Sequence, residues 1–224
     1  MSLHLSYRRR HFKRLLSFFV LLAALGILFW MSLISGSQGV VWSDSIKLFT
    51  LSGEDATFGI IVESIRLPRA LAAMMVGAVL GLSGAVMQGV LRNPLASPFT
   101  LGVSQAAGFG AAIAIILFPS FGITDPIIAK FSIALFAFGA SMLCILAIIW
   151  ISSQVGMSPT SIILAGVALG SLFHSGTMFL QYFTDEMNAA ATLFWTFGDL
   201  SKAGDETLFF LIAVFIPSLL YEGD

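Results

Sequence analysis

The chain has 224 residues, 58% of them apolar and only 10% charged, with 11 basic side chains against 12 acidic and a formal net charge of −1. An ordinary globular protein is roughly a quarter charged, so these charges cannot cover a water-facing surface. A soluble fold, a nucleic-acid-binding module and a disordered tail are thereby excluded. With a mean hydropathy of +0.96, the solvent this composition suits is lipid. The single cysteine, Cys144, excludes a disulfide framework within the chain and a cysteine-rich metal site. In its apolar run it reads as a small buried hydrophobe.

Apolar runs separated by short polar breaks predict six membrane helices, near 15–35, 67–91, 99–118, 127–151, 161–183 and 207–221. About 20 residues, each rising about 1.5 Å, cross a hydrocarbon core of about 30 Å. By that measure the last run is short. In hydrocarbon every N–H and C=O needs an internal partner, which leaves helices or closed barrels. The runs are too continuous for the alternation of a barrel strand. The expected fold class is all-α, a polytopic transmembrane helix bundle, with one membrane domain over 15–221 between a basic N-terminus (1–14) and a short tail (222–224).

The first run follows Arg8, Arg9, Arg10, Lys13 and Arg14, which places the N-terminus in the cytoplasm. Alternation then puts 36–66, 119–126 and 184–206 outside. The acidic residues follow, with only Glu222 and Asp224 inside. The run exceeds the 7–15 apolar residues of a signal-peptide core, so the first helix reads as retained.

The second run opens Arg66-Leu-Pro-Arg69, with Pro68 suited to a first helical turn. Along it Ala73, Gly77, Gly81, Gly84 or Ala85, and Gln88 recur every three or four residues. This stripe of small side chains lets another helix backbone approach closely. Arg66 and Arg69 lie one turn apart at its outer end. Their guanidinium groups suit either bidentate pairing with carboxylates or snorkelling to headgroups.

Before the fifth run, Ser158 reads as an N-cap with Pro159 at the first helical position. The run itself carries Gly166, Gly170, His174, Thr177 and Gln181 at intervals of four, four, three and four. Polar groups on a membrane helix face protein or water rather than lipid. The stripe therefore either lines a cavity or bonds across helices. His174 has no second His, Cys or carboxylate at ligand spacing, so no metal site is expected.

The runs Arg66-Leu-Pro-Arg69, Gly77-Ala-Val-Leu-Gly-Leu-Ser-Gly-Ala-Val-Met-Gln88, Arg92-Asn-Pro-Leu-Ala-Ser-Pro98 and Leu101-Gly-Val-Ser104 resemble the permease subunit of bacterial ABC importers for iron–siderophore complexes, haem and cobalamin. Ile163-Leu-Ala-Gly-Val-Ala-Leu-Gly170 and Phe194-Trp-Thr-Phe-Gly-Asp-Leu200 resemble the same family, in matching order and spacing. The resemblance covers essentially the whole chain from the first span. It implies a homodimeric or paired permease in the bacterial inner membrane. It also implies cytoplasmic ATPase subunits, a periplasmic or lipoprotein substrate-binding protein, and transport by alternating access.

Under the resemblance, Arg66 and Arg69 fall where the family meets acidic residues of the binding protein. Gly166, Gly170, His174, Thr177 and Gln181 fall on the helix that partly lines the path. Met157, Ser158, Pro159 and Thr160 fall at the turn that narrows its inner mouth. It implies no cofactor on this chain, with ATP used by a partner subunit. The cargo metal arrives chelated, so the permease need not ligate it.

The chain departs from the family in length. At about 20 residues a span, it holds about six spans where the family has about ten. It stops before the inner loop that carries the ATPase-docking helix. It therefore reads as truncated at the C-terminus, and is expected not to couple ATP hydrolysis to transport by itself.

Two other classes compete. Gly81-Leu-Ser-Gly84 matches a rhomboid protease motif, with Ser83 as nucleophile and His174 as base, but no clear block of oxyanion donors accompanies them. A passive six-helix channel would draw on Asn93-Pro94, yet that pair occurs once and no internal repeat supports it. No Gly-x-x-x-x-Gly-Lys-Ser/Thr loop is present. Gly108-Phe-Gly110 reads as packing.

Overall fold

The computed structural model describes residues 2–36, 39–40, 60–122, 125–200, 203–204, 208–209 and 211–213. Two compact units are distinguished, Met1–Val76 with Leu200–Asp224, and Gly77–Asp199. The single membrane domain expected over 15–221 thus falls across both. Of the sixth expected span, 207–221, only residues 208–209 and 211–213 are described, and these are helical.

In the first unit, the basic cluster does not interrupt the helix that follows it. Helix α1 runs from Ser2 to Ile34, 33 residues, or about 50 Å. Its last residues, Leu33 and Ile34, are buried. The chain then forms a two-residue antiparallel pairing of β1 (Ser35–Gly36) with β2 (Gly39–Val40). Helix α2, Leu67–Leu91, starts in this unit and is preceded directly by a π-helical turn, Val62–Arg66.

Pro68 is therefore not in a first turn, as the sequence reading has it. It follows a helical backbone that is already running. The π turn, closed by the Leu67 N–H on the Val62 carbonyl, is a local widening at the point where a proline ring crowds the carbonyl four residues back.

The second unit is organised around a short helix, α3, Val103–Leu117. Ala106, Gly108, Gly110, Ala111, Ala112, Ala114 and Ile116 are all buried. Small side chains on several faces let α4 (Pro126–Gln154), α5 (Pro159–Tyr182) and α6 (Glu186–Phe197) all pack against it. The Ser141 hydroxyl of α4 donates to the Val103 carbonyl at 3.2 Å, a polar tie of the kind membrane helices use between neighbours. Cys144 is fully buried, as its apolar context predicts. It shares a core with Leu91, Ala96, Leu101, Ala106, Ile148 and Ala165.

The third helix starts later than the 99–118 expected. The Ser97 and Thr100 side chains each accept the other's backbone N–H, at 3.1 and 2.9 Å, and Gly102 is left-handed at φ +75°. These turns hold 97–102 out of the helix. At 15 residues α3 spans only about 22 Å.

The four longer apolar segments, His11–Ile34, Val62–Leu91, Ile127–Gln154 and Pro159–Tyr182, are long and apolar enough to cross a membrane. Their apolar side chains mostly point outward, as at Leu80, Phe131, Leu143, Leu164 and Leu172. Helix α6 was not anticipated. It lies in the 184–206 segment and is started by Asp185, whose carboxylate accepts the Asn188 N–H at 2.9 Å.

Candidate functional site

Helix α5 is set by local chemistry at its start. Ser158 and Ser161 form a capping box, with the Ser158 Oγ accepting the Ser161 N–H at 3.1 Å and the Ser161 Oγ accepting the Ser158 N–H at 2.9 Å. Pro159 occupies the first turn. The cap fixes where the helix begins, and hence which residues share its inner face. That face carries Gly166, Gly170, His174, Thr177 and Gln181, and all five line one half-open cavity of about 830 Å³. Ser104, Gln105 and Gly108 of α3 form a second wall, Thr100 and Gly102 of the preceding loop a third, and Leu193, Trp195 and Thr196 of α6 a fourth.

The α5 stripe divides in two. Gly166 and Gly170 are buried against the loop before α3. A methyl group on Gly166 would lie 2.9 Å from the Leu101 Cα, and one on Gly170 would lie 2.8 Å from the Gly102 Cα. A methyl on Gly102 would lie 2.6 Å from the Gly166 carbonyl oxygen. The two backbones therefore touch, and glycine on both sides is what permits it. Further along, His174 is exposed and Thr177 and Gln181 are half-buried. These three form the open, polar part of the wall. Gly176, one step off the line, takes the ring of Phe109, whose edge would lie 2.8 Å from an added methyl.

The other residues singled out by the sequence lie elsewhere. Arg66 is half-buried, and its Nη1 donates to the Leu33 carbonyl at 2.7 Å. It thereby satisfies one of the carbonyls left open at the end of α1. Arg69 is half-buried one turn later. Met157 is exposed with φ +50°, next to Gly156 at φ +94°. Thr160 and Ser158 are exposed beside it.

Among the described residues the α2 stripe meets no close neighbour. Ala73, Gly77, Gly81, Ala85 and Gln88 are exposed and Gly84 is half-buried. A methyl at Gly77, Gly81 or Gly84 would find nothing within 4 Å among the described residues. Small side chains permit close approach, but they do not supply the partner.

Ser83 and His174 do not share the cavity. Ser83 is absent from its lining, and its hydroxyl donates to the Val79 carbonyl at 2.8 Å. Asn93 folds back on its own loop, its Oδ1 accepting the Leu95 N–H at 3.0 Å. Among the described residues, no cluster of three or more His, Cys, Asp or Glu could hold a metal ion.

Among the lining residues that carried no role in the sequence reading are Thr100, Ser104, Gln105, Trp195 and Thr196. The last four lie in or beside the runs Leu101–Ser104 and Phe194–Leu200. Their spacing is not periodic with α5, and only the packing of α3 and α6 brings them to it.

The architecture is that of a polytopic membrane protein with a polar-faced cavity built against one of its long helices. The chain belongs to the FecCD transport family, whose model matches residues 24–222. It is 45% identical over 166 residues to a Methanocaldococcus jannaschii protein named as an ABC transporter permease, covering 72% of this chain and 48% of that one. It is 33% identical over 206 residues to the Fe(3+)-citrate import system permease of Bacillus subtilis, covering 86% and 59%. It is also 33% identical over 206 residues to the vitamin B12 import system permease of Salmonella paratyphi A, covering 92% and 57%. A solved structure of a metal-chelate type ABC transporter in an inward-facing conformation superposes with a TM-score of 0.65 at 32% identity, covering 90% of this chain and 58% of that one. The chain thus spans about half to three-fifths of the length of these relatives.

Proposed function

We propose that this chain is a permease component of an ABC importer, and that it carries a metal chelate or a corrinoid across the inner membrane by alternating access. The observation that carries the reading is the α5 face. In a member of this family, Gly166, Gly170, His174, Thr177 and Gln181 converge on one cavity. Iron–siderophore, haem and cobalamin are the cargo classes. The relatives named for Fe(3+)-citrate and vitamin B12 import support that range.

In this reading the chain pairs with a second permease, sits among membrane lipids, and has its N-terminus in the cytoplasm. It binds no cofactor. ATP is hydrolysed by separate cytoplasmic subunits, and a binding protein delivers cargo outside. Arg66 and Arg69 offer that protein its docking cations. The turn Met157, Ser158, Pro159 and Thr160 forms the inner gate. The open α2 stripe, from Ala73 to Gln88, packs against another helix of the assembly.

A water-filled path is directly testable. The chain has one cysteine, and it is buried. With the chain in lipid vesicles, Thr177→Cys and Gln181→Cys are expected to react with a water-soluble methanethiosulfonate reagent. Leu164→Cys and Leu172→Cys, which point outward from the same helix, are expected not to react. Equal reactivity of all four would remove the cavity from consideration as a path. ATP-dependent uptake of an iron(III) chelate by cells carrying the chain with its ATPase and binding protein tests the activity itself.

A further inference from the structure

Four hydroxyls in the cavity wall have their protons engaged. Ser171, Thr177 and Thr196 donate to the carbonyls of Val167, Phe173 and Thr192, at 3.0, 3.0 and 2.9 Å, and Thr100 donates to the Ser97 carbonyl at 3.0 Å. A hydroxyl so bonded shows its surroundings only lone pairs. This part of the wall therefore accepts hydrogen bonds and does not give them. Among the described residues no Lys, Arg, Asp or Glu lines the cavity, and His174 is the one lining residue with an acid–base side chain.

These facts bear differently on two kinds of cargo. A neutral solute covered in amide N–H and O–H groups can donate to the hydroxyl oxygens. A carboxylate-rich metal chelate can only accept, so at these hydroxyls it meets lone pairs facing lone pairs, and donors are left to the Gln105 and Gln181 amides, the Trp195 indole and His174. His174 changes that locally, because an imidazole presents an N–H in either protonation state and a second one, with a positive charge, when protonated. It is exposed, between the buried Gly170 and the half-buried Thr177.

We infer that His174 is a specificity-determining residue of the cavity: it favours anionic, carboxylate-bearing chelates, which the bonded hydroxyls of the wall disfavour. This rests on the reading of the cavity as the cargo path.

Trp195 lines the same cavity and serves as the reporter. With the full chain in lipid nanodiscs and Trp30→Phe, Trp42→Phe and Trp150→Phe in place, Trp195 fluorescence is titrated with iron(III)-citrate and, separately, with cyanocobalamin. The same titrations of a Trp195→Phe chain set the background. His174→Ala is expected to weaken iron(III)-citrate binding by about tenfold, the scale of a hydrogen bond to a charged group, while cyanocobalamin shifts by less than about twofold. His174→Arg is expected to restore or tighten iron(III)-citrate binding. Equal shifts for both probes, or none for iron(III)-citrate, would overturn the role of His174. Absence of saturable quenching by either probe in the chain with His174 intact would overturn the path reading itself, and the inference with it.

Discussion

Two glycine-rich faces in this chain share a spacing and differ in their surroundings. On α2, Gly77, Gly81 and Gly84 look out on open space among the described residues. On α5, Gly166 and Gly170 touch the backbone at Leu101 and Gly102, and on α3, Gly110 touches the backbone at Phe136 of α4. The comparison teaches that a small-residue stripe states only how near a neighbour could come. Whether one comes depends on a second surface of matching shape, and for α5 that surface is a loop held in place by the Ser97–Thr100 turn. A face that remains open in a chain built for lipid is a face awaiting a partner or facing acyl chains, and substitution distinguishes it from a closed one.

The largest effect is expected at Gly110. An added methyl there would press on the Phe136 carbonyl and lie 2.8 Å from the Ala140 Cβ. Backbone cannot yield as a side-chain tip does, so Gly110→Ala is expected to cost about 3 kcal/mol or more, read as a lowered unfolding midpoint in detergent. Next comes Gly102→Ala, where a left-handed φ of +75° meets the Gly166 carbonyl. The conformation alone costs about 1–2 kcal/mol, and α3 is expected to loosen from α5, with faster amide exchange at both.

The open face predicts the reverse sign. Gly81→Ala has nothing to strike and gains helix propensity, so it is expected to stabilise the chain by about 0.5–1 kcal/mol. If the same change weakens an assembled importer while stabilising the isolated chain, the partner of α2 has been located. If it destabilises the isolated chain, the contrast between the two faces is wrong.

The smallest effect concerns α6, one wall of the closed region. The backbone N–H of Asn188 is the main cause that holds the Asp185 carboxyl below its usual range, with the Asn188 side-chain amide adding to it. A depressed folded value means that the cap contributes fully above the unfolded value, about 3.9 for an ordinary aspartate, and is lost as pH falls through the folded one. Amide exchange in the first turn of α6 is expected to quicken only in that acid window. Asp185→Asn is expected to abolish the pH step.

Much of this was legible in the residues. Apolar runs mark helices because lipid leaves the backbone no other partner, and the Ser158–Pro159 start of α5 is a local signal needing no tertiary information. The polar face from His174 to Gln181 was legible for the same reason, since helical periodicity is local. What was not legible came from contacts distant in sequence. Nothing near Arg66 announces the Leu33 carbonyl 33 residues away, and nothing near Trp195 or Thr196 announces α5. The late start of α3 was hidden because Phe99 and Leu101 are as apolar as the helix they precede. Only the Ser97–Thr100 bonds and the sign of φ at Gly102 tell a turn from a span there.

The grip of Arg66 on the end of α1 has a mechanical corollary. The side chain is a cleat by which the last turn of α1 is moored to the root of α2. Removing the guanidinium would leave the Leu33 carbonyl to find another donor or water.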